Sequence, residues 1–380
     1  MSESIIDYVK QELRTFSTHP FHDVDSLVLS QFSYIHLGNM VAPPCAGISV
    51  HSYTIAQLYR AECFDYYFSD QIDAQRNQEL LCACAASPRF RDIRITCYLE
   101  DFDPVMEKQF CAMTFLLPDG RAYIAFRGTD CTLIGWKEDF NMAYLAPVPS
   151  QENALQYVRQ IADLLDGRLL LGGHSKGGNL ALYAALCSPP ALQSRIDAIY
   201  SHDGPGFREQ LFSSADYAPL QARIFKTVPQ ASLVGMLLEH TGHYKIIESE
   251  SNGILQHNPY SWIIRDGHFI VHDTLTNTAE FLNRTLSDWL ENLDHNKREE
   301  FIEALYSVIN TPELSSFSVM TEQSPRERAE YAESILEQVS KNIRSMDSST
   351  RQMLKKTVRM FMRTAVKNLP TPETHSFHIK

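Results

Sequence analysis

The spacing of apolar positions changes twice along this chain. Over the first hundred residues they recur at the three-to-four-residue interval of helices, and residues 24–37 (VDSLVLSQFSYIHL) and 55–67 read as two helices separated by Pro43-Pro44. From Phe110 the sequence becomes rich in strand formers. Residues 110–117, the turn Pro118-Asp119-Gly120 and residues 122–126 read as a hairpin. A helix at 151–165, a short buried strand at 168–171, a helix at 179–186 and strands at 196–201 and 222–228 follow. Strands alternating with helices of this length call for a mainly parallel sheet covered on both faces. After residue 276 strand signals vanish and helical spacing takes over. The expected architecture is an α/β domain over residues 1–275, with a helical N-terminal segment, and a helical region over 276–380 with a soft linker near 311–325.

Between the strand at 168–171 and the helix at 179–186 stands Gly172-Gly173-His174-Ser175-Lys176-Gly177-Gly178. This holds Gly-x-Ser-x-Gly in the place where a nucleophile elbow requires it. A serine in a sharp strand-to-helix turn is crowded by side chains two positions away, and Gly173 and Gly177 remove that crowding. The start of the helix offers the backbone N–H of Lys176 to a developing oxyanion, with the helix dipole favouring the negative charge. The other reading of the motif is a glycine-rich turn with an incidental serine.

Ala125-Phe126-Arg127-Gly128-Thr129, then Gly135-Trp136 and Glu138-Asp139, then Gly173-His174-Ser175 with Gly177-Gly178, resemble the successive motifs of the fungal-type, or class 3, lipases. The whole chain more closely resembles a bacterial family of lipase-like proteins without an assigned substrate. The shared stretches are Val24 to Gln31, Trp136 to Asn141 and Gly253-Ile254-Leu255-Gln256-His257, within a likeness running from near residue 5 to about residue 310. The resemblance implies an α/β-hydrolase fold and hydrolase chemistry. It also implies that Thr129 supplies the second oxyanion donor through its backbone N–H, with its hydroxyl as a further candidate. Arg127, Asp130 and Asp139 read as a charge network holding that loop.

In this fold the catalytic residues follow the order serine, acid, histidine, so the general base is sought downstream among His202, His240, His243, His257, His268 and His272. His257 is preferred: it follows all expected strands, lies in a loop-like Gln-His-Asn-Pro and matches the lipase-like family. Class 3 lipases carry the acid after the strand two beyond the nucleophile, but here that place reads Val228-Pro229-Gln230-Ala231-Ser232, without a carboxylate. The preceding strand ends in His202-Asp203-Gly204, so Asp203 is the expected acid. Otherwise Asp203 is a turn residue capping local N–H groups, and Ser232 or a carbonyl orients His257. The Lys176 side chain has three readings: attraction of an anionic substrate, pairing with a nearby acid, or solvent exposure.

Composition narrows the function. A net charge of −12 disfavours general nucleic-acid binding. No signal-peptide pattern or run of about 20 apolar residues is present, which points to a cytoplasmic protein. The eight cysteines are irregularly spaced and read as reduced, apolar thiols; neither a metal nor a cofactor is expected. Residues 351–369 carry Arg351, Lys355, Lys356, Arg359, Arg363 and Lys367, no acid, and apolar residues at helical spacing. Such a helix suits peripheral contact with an anionic membrane or, preferably here, packing on the acidic remainder of the chain. The expected activity is cleavage of a lipid or small-molecule ester through an acyl-enzyme on Ser175. The alternative is a degenerate hydrolase fold used as a binding module, motivated by the missing carboxylate after Val228.

Overall fold

The computed structural model describes residues 3–44, 52–69, 71, 73–130, 133–142, 145–207, 211–238, 243–309 and 341–368. Its strands are β1 (Tyr53–Thr54), β2 (Arg94–Asp103), β3 (Lys108–Leu116), β4 (Ala122–Phe126), β5 (Leu169–His174), β6 (Ile196–His202), β7 (Ile224–Pro229), β8 (Tyr244–Ile247), β9 (Ile264–Arg265), β10 (His268–Phe269) and β11 (Val271–His272). They form a nine-stranded sheet in the order β1-β2-β3-β4-β5-β6-β7-β8-β11, with β9 and β10 paired separately. Strands β4 to β8 are parallel neighbours, whereas β1 to β4 and the β8–β11 pair are antiparallel. The sheet is therefore parallel through its centre, as expected, and mixed as a whole. The parallel ladders come from strand–helix alternation after residue 122, and the antiparallel ones from chain reversals on either side.

The first hundred residues are less helical than their pattern suggests. The helix at 24–37 is Asp23–Phe32 and ends at Ser33, whose hydroxyl donates to the Ser30 carbonyl at 2.6 Å. Ile35 and Leu37 prolong the apolar pattern because the following turn is also buried. The helix expected at 55–67 breaks into Ile55–Leu58, a 3₁₀ turn at Ala61–Cys63 and Phe64–Tyr67. Helix Ala74–Ala86 and strand β2 had no place in the sequence reading. In β2, the pairing register shifts between Thr96 and Leu99, with Cys97 at φ +54°, and this bulge breaks the two-residue alternation that marks a strand.

Alternate residues of the central strands feed two cores. Tyr123, Ala125 and Leu170 face one with helices Ile5–Gln11, Asp23–Phe32 and Ala74–Ala86; Ile124, Phe126, Leu169 and Leu171 face the other with Pro149–Leu164 and Lys176–Leu186. This two-sided burial is why these strands read as unbroken apolar runs. The first core also holds polar anchors. The Arg89 guanidinium grips Asp25 through two bonds of 2.7 and 2.6 Å, both side chains fully buried, and the Tyr8 hydroxyl donates to Asp25 at 2.8 Å.

Beyond residue 276 the described elements are helices Asn277–Glu291, His295–Ile309 and Ser348–Asn368. Trp289 joins them: its indole N–H donates to the Thr357 carbonyl at 3.3 Å, and its ring stands edge-on to Phe301 and Phe361. The proposed linker at 311–325, along with His240, Cys45, Cys131 and Leu369, lies outside the described residues. The described cysteines Cys63, Cys82, Cys84, Cys97, Cys111 and Cys187 are free thiols. No described helix is long and apolar enough to cross a membrane.

Candidate active site

Ser175 occupies the single position between the end of β5 at His174 and the start of helix Lys176–Leu186. Its backbone is at φ +57°, ψ −130°, a conformation that L-residues enter only at a cost of about 1–3 kcal/mol. The flanking glycines make the turn sterically feasible. A Cβ on Gly173 would stand 2.3 Å from the Gly177 carbonyl carbon, and one on Gly177 only 2.0 Å from the Phe126 carbonyl oxygen. Both neighbours are backbone and cannot yield. The elbow is pinned from the next strand by the Ser175 N–H, which donates to the His202 carbonyl at 2.9 Å.

Asp203 follows β6 directly, fully buried, at φ +49°. Its Oδ2 lies 2.6 Å from His257 Nδ1, while Oδ1 accepts from the Ser232 hydroxyl at 2.5 Å and the Gly235 N–H at 3.1 Å. Ser232 thus serves Asp203 and does not orient His257. Glycine at 235 is required by this arrangement, since a Cβ there would stand 2.2 Å from Asp203 Oδ1. His257 ends the 3₁₀ turn Gly253–His257, and its carbonyl accepts from His174 Nε2 at 2.9 Å, with the two rings 4.6 Å apart. Burial holds His174 well below the ordinary imidazole pKa, so it is a neutral strut under the histidine loop.

Ser175 and His257 line one cleft of about 260 Å³. No hydrogen bond joins their side chains; catalytic pairs of this kind often close only in the substrate complex. Of the other described candidates, His202 is fully buried, its nitrogens held by Ser26 and Thr227, and burial lowers its pKa to about 4. His243 is exposed, His268 and His272 lie on β10 and β11, and none of these four lines the cleft.

Thr129 also lines the cleft, three residues past β4. Its hydroxyl donates to Asp139 Oδ2 at 2.5 Å, so it is committed to the carboxylate and only the backbone N–H remains for an oxyanion. Neither that N–H nor the Lys176 N–H has a partner among the described residues. Burial pushes the Asp139 carboxyl up to about 6, opposed by the Lys176 charge and the Thr129 bond. The Lys176 side chain is buried, contrary to the solvent-exposed and substrate-facing readings. Its ammonium donates to the Gln109 carbonyl and side-chain oxygen, each at 2.8 Å, and to Glu138 at 3.0 Å. Glu138 in turn accepts from the Gln109 N–H and from Ser150 N–H and hydroxyl, which ties the elbow to β3 and helix Leu133–Asn141.

Arg127 does not join Asp139 in one network. It pairs with Glu100 of β2, beside His36 at 3.3 Å. Sequence reasoning missed Glu138, Gln109 and His174 as site supports. The signal for Glu138 was present, a carboxylate beside Asp139 in the helix Leu133–Asn141, but its partner lay 38 residues away. The cleft mouth carries Ile254 and Leu255, 64% and 68% exposed, on the turn that ends in His257.

No match was found among curated proteins. Among solved structures the chain is similar to the native Rhizomucor miehei lipase propeptide complex, at 16% identity over 58% of this chain and 79% of that one, with a TM-score of 0.33. Residues 84–307, more than half of the chain and a span that includes Thr129, Ser175, Asp203 and His257, match the Mbeg1-like family, and the chain belongs to that family.

Proposed function

We propose that this protein is a serine ester hydrolase with an α/β-hydrolase fold over residues 1–275 and a helical appendage over 276–380. The observation that carries the reading is the 2.6 Å contact of Asp203 Oδ2 with His257 Nδ1, in a cleft shared with a serine on a strained, glycine-flanked elbow. Membership of the lipase-related Mbeg1-like family supports ester chemistry.

In this mechanism Asp203 holds the Nδ1–H tautomer, leaving His257 Nε2 as the base. Ser175 Oγ attacks the acyl carbon as Nε2 takes its proton, and the oxyanion forms against the N–H groups of Thr129 and Lys176. The ester C–O bond then breaks, the alcohol leaves with the proton from His257, and water, deprotonated by the same nitrogen, hydrolyses the acyl-enzyme. Ile254 and Leu255 give the mouth of the cleft an apolar rim suited to the acyl or alcohol portion of an ester. The rival reading, a binding module without catalysis, took its motive from the missing carboxylate after Val228, and the Asp203–His257 contact weakens that motive. A fluorophosphonate probe tests the proposal: wild-type protein labels and Ser175→Ala does not. A folded wild type that fails to label overturns it.

A further inference from the structure

The C-terminal helix Ser348–Asn368 has two faces, and only one is used. Thr357 and Phe361 meet Trp289, and Ser349, Thr350 and Met353 border a groove with Glu299, Glu300 and Glu303. The helix is thus packed on the rest of the chain, as preferred from the sequence, but not through its charges. Lys355, Lys356, Arg359 and Arg363 are all exposed, and none forms an ion pair among the described residues of a chain whose net charge is −12. Val358 and Met362 stand among them, 53% and 57% exposed. At 3.6 residues per turn these six residues share one side of the helix, opposite Thr357 and Phe361.

We infer that this side is a docking surface for an anionic lipid bilayer. Cations without acids, flanking apolar side chains that packing has left in water, match a surface offering negative headgroups above hydrocarbon. Acidic protein partners lack the apolar layer that Val358 and Met362 would enter, and nucleic acid would meet an otherwise strongly negative molecule. The surface is independent of the catalytic reading, because none of its residues lines the Ser175 cleft.

The test is co-sedimentation of the full chain with vesicles of phosphatidylcholine alone and of phosphatidylcholine mixed equally with phosphatidylglycerol. Binding is expected to the anionic vesicles only, and to fall steeply as salt is raised to about 0.5 M. Each basic residue near such a surface contributes roughly fivefold to partitioning, so Lys355→Gln/Arg359→Gln is expected to weaken binding roughly 25-fold. Val358→Ser/Met362→Ser is expected to weaken it without changing the salt slope. Circular dichroism checks that both variants stay folded. Absence of binding to anionic vesicles, equal binding to neutral ones, or a charge-neutralised variant that binds like wild type would each overturn the inference.

Discussion

Asp203→Asn exchanges one oxygen for an NH₂ group, and the surroundings determine where that group must point. Oδ1 accepts from the Gly235 N–H, a backbone donor that cannot reverse its role, and from the Ser232 hydroxyl. An amide NH₂ there would face a donor at hydrogen-bond distance, so the amide oxygen takes that side and the NH₂ turns toward His257. The imidazole must then accept at Nδ1 and carry its proton on Nε2, the tautomer that cannot deprotonate Ser175. The comparable change in a serine protease lowers kcat by about 10⁴-fold, or about 5.4 kcal/mol at 1.36 kcal/mol per decade. The same loss is expected here, with KM little changed and the fold retained because the side chains are isosteric. Ser232→Ala removes one of two donors to Oδ1, leaves the tautomer intact and is expected to lower kcat less than tenfold. Both variants are assayed on one short-chain ester, with circular dichroism as the folding control. If Asp203→Asn stays within tenfold of wild type while Ser232→Ala collapses, the tautomer argument is refuted.

Ser175→Ala should abolish ester hydrolysis, and Ser175→Gly should do so while raising the thermal midpoint, because glycine relieves φ +57°; a destabilised glycine variant would contradict the strain. Gly177→Val should fail to yield soluble folded protein, since its Cβ would lie 2.0 Å from a backbone oxygen, and a well-folded variant by size exclusion and circular dichroism would sink that reasoning. Burial raises Asp139 to about 6, so between roughly pH 4 and 6 the folded state holds more protons than the unfolded one and stability falls as pH rises. Asp139→Asn should remove that component, and urea midpoints with identical pH dependence in both proteins would rule it out.

What the sequence made legible follows from how local each signal is. The β4–β7 run and the elbow rest on neighbouring residues: apolar strands, paired glycines and the helix beginning at Lys176. The β2 strand was lost because its bulge destroys the alternation by which strands are read, and helix Ala74–Ala86 because its polar residues gather in the first half and its apolar ones in the second, which hides the three-to-four-residue spacing. His257 and Asp203 were selected by topological order and family likeness. The Ser232–Asp203 and Lys176–Glu138 contacts join positions 29 and 38 residues apart, and no local pattern announces them. Burial of Lys176 ran against the expectation for its residue type, which side chains remote in sequence decide.

Ser232 sits in the loop after β7, where class 3 lipases carry their acid, and its hydroxyl rests on the carboxylate that follows β6. Two adjacent strand ends therefore converge on one carboxylate, the first bearing it and the second supplying a hydroxyl that steadies it. On the proposed reading, the loop after β7 keeps a place beside the acid although it carries no carboxylate, on the same sheet that bears both strand ends. The missing carboxylate at Val228 to Ser232 thus leaves His257 with a carboxylate all the same, one strand earlier and 2.6 Å from its Nδ1.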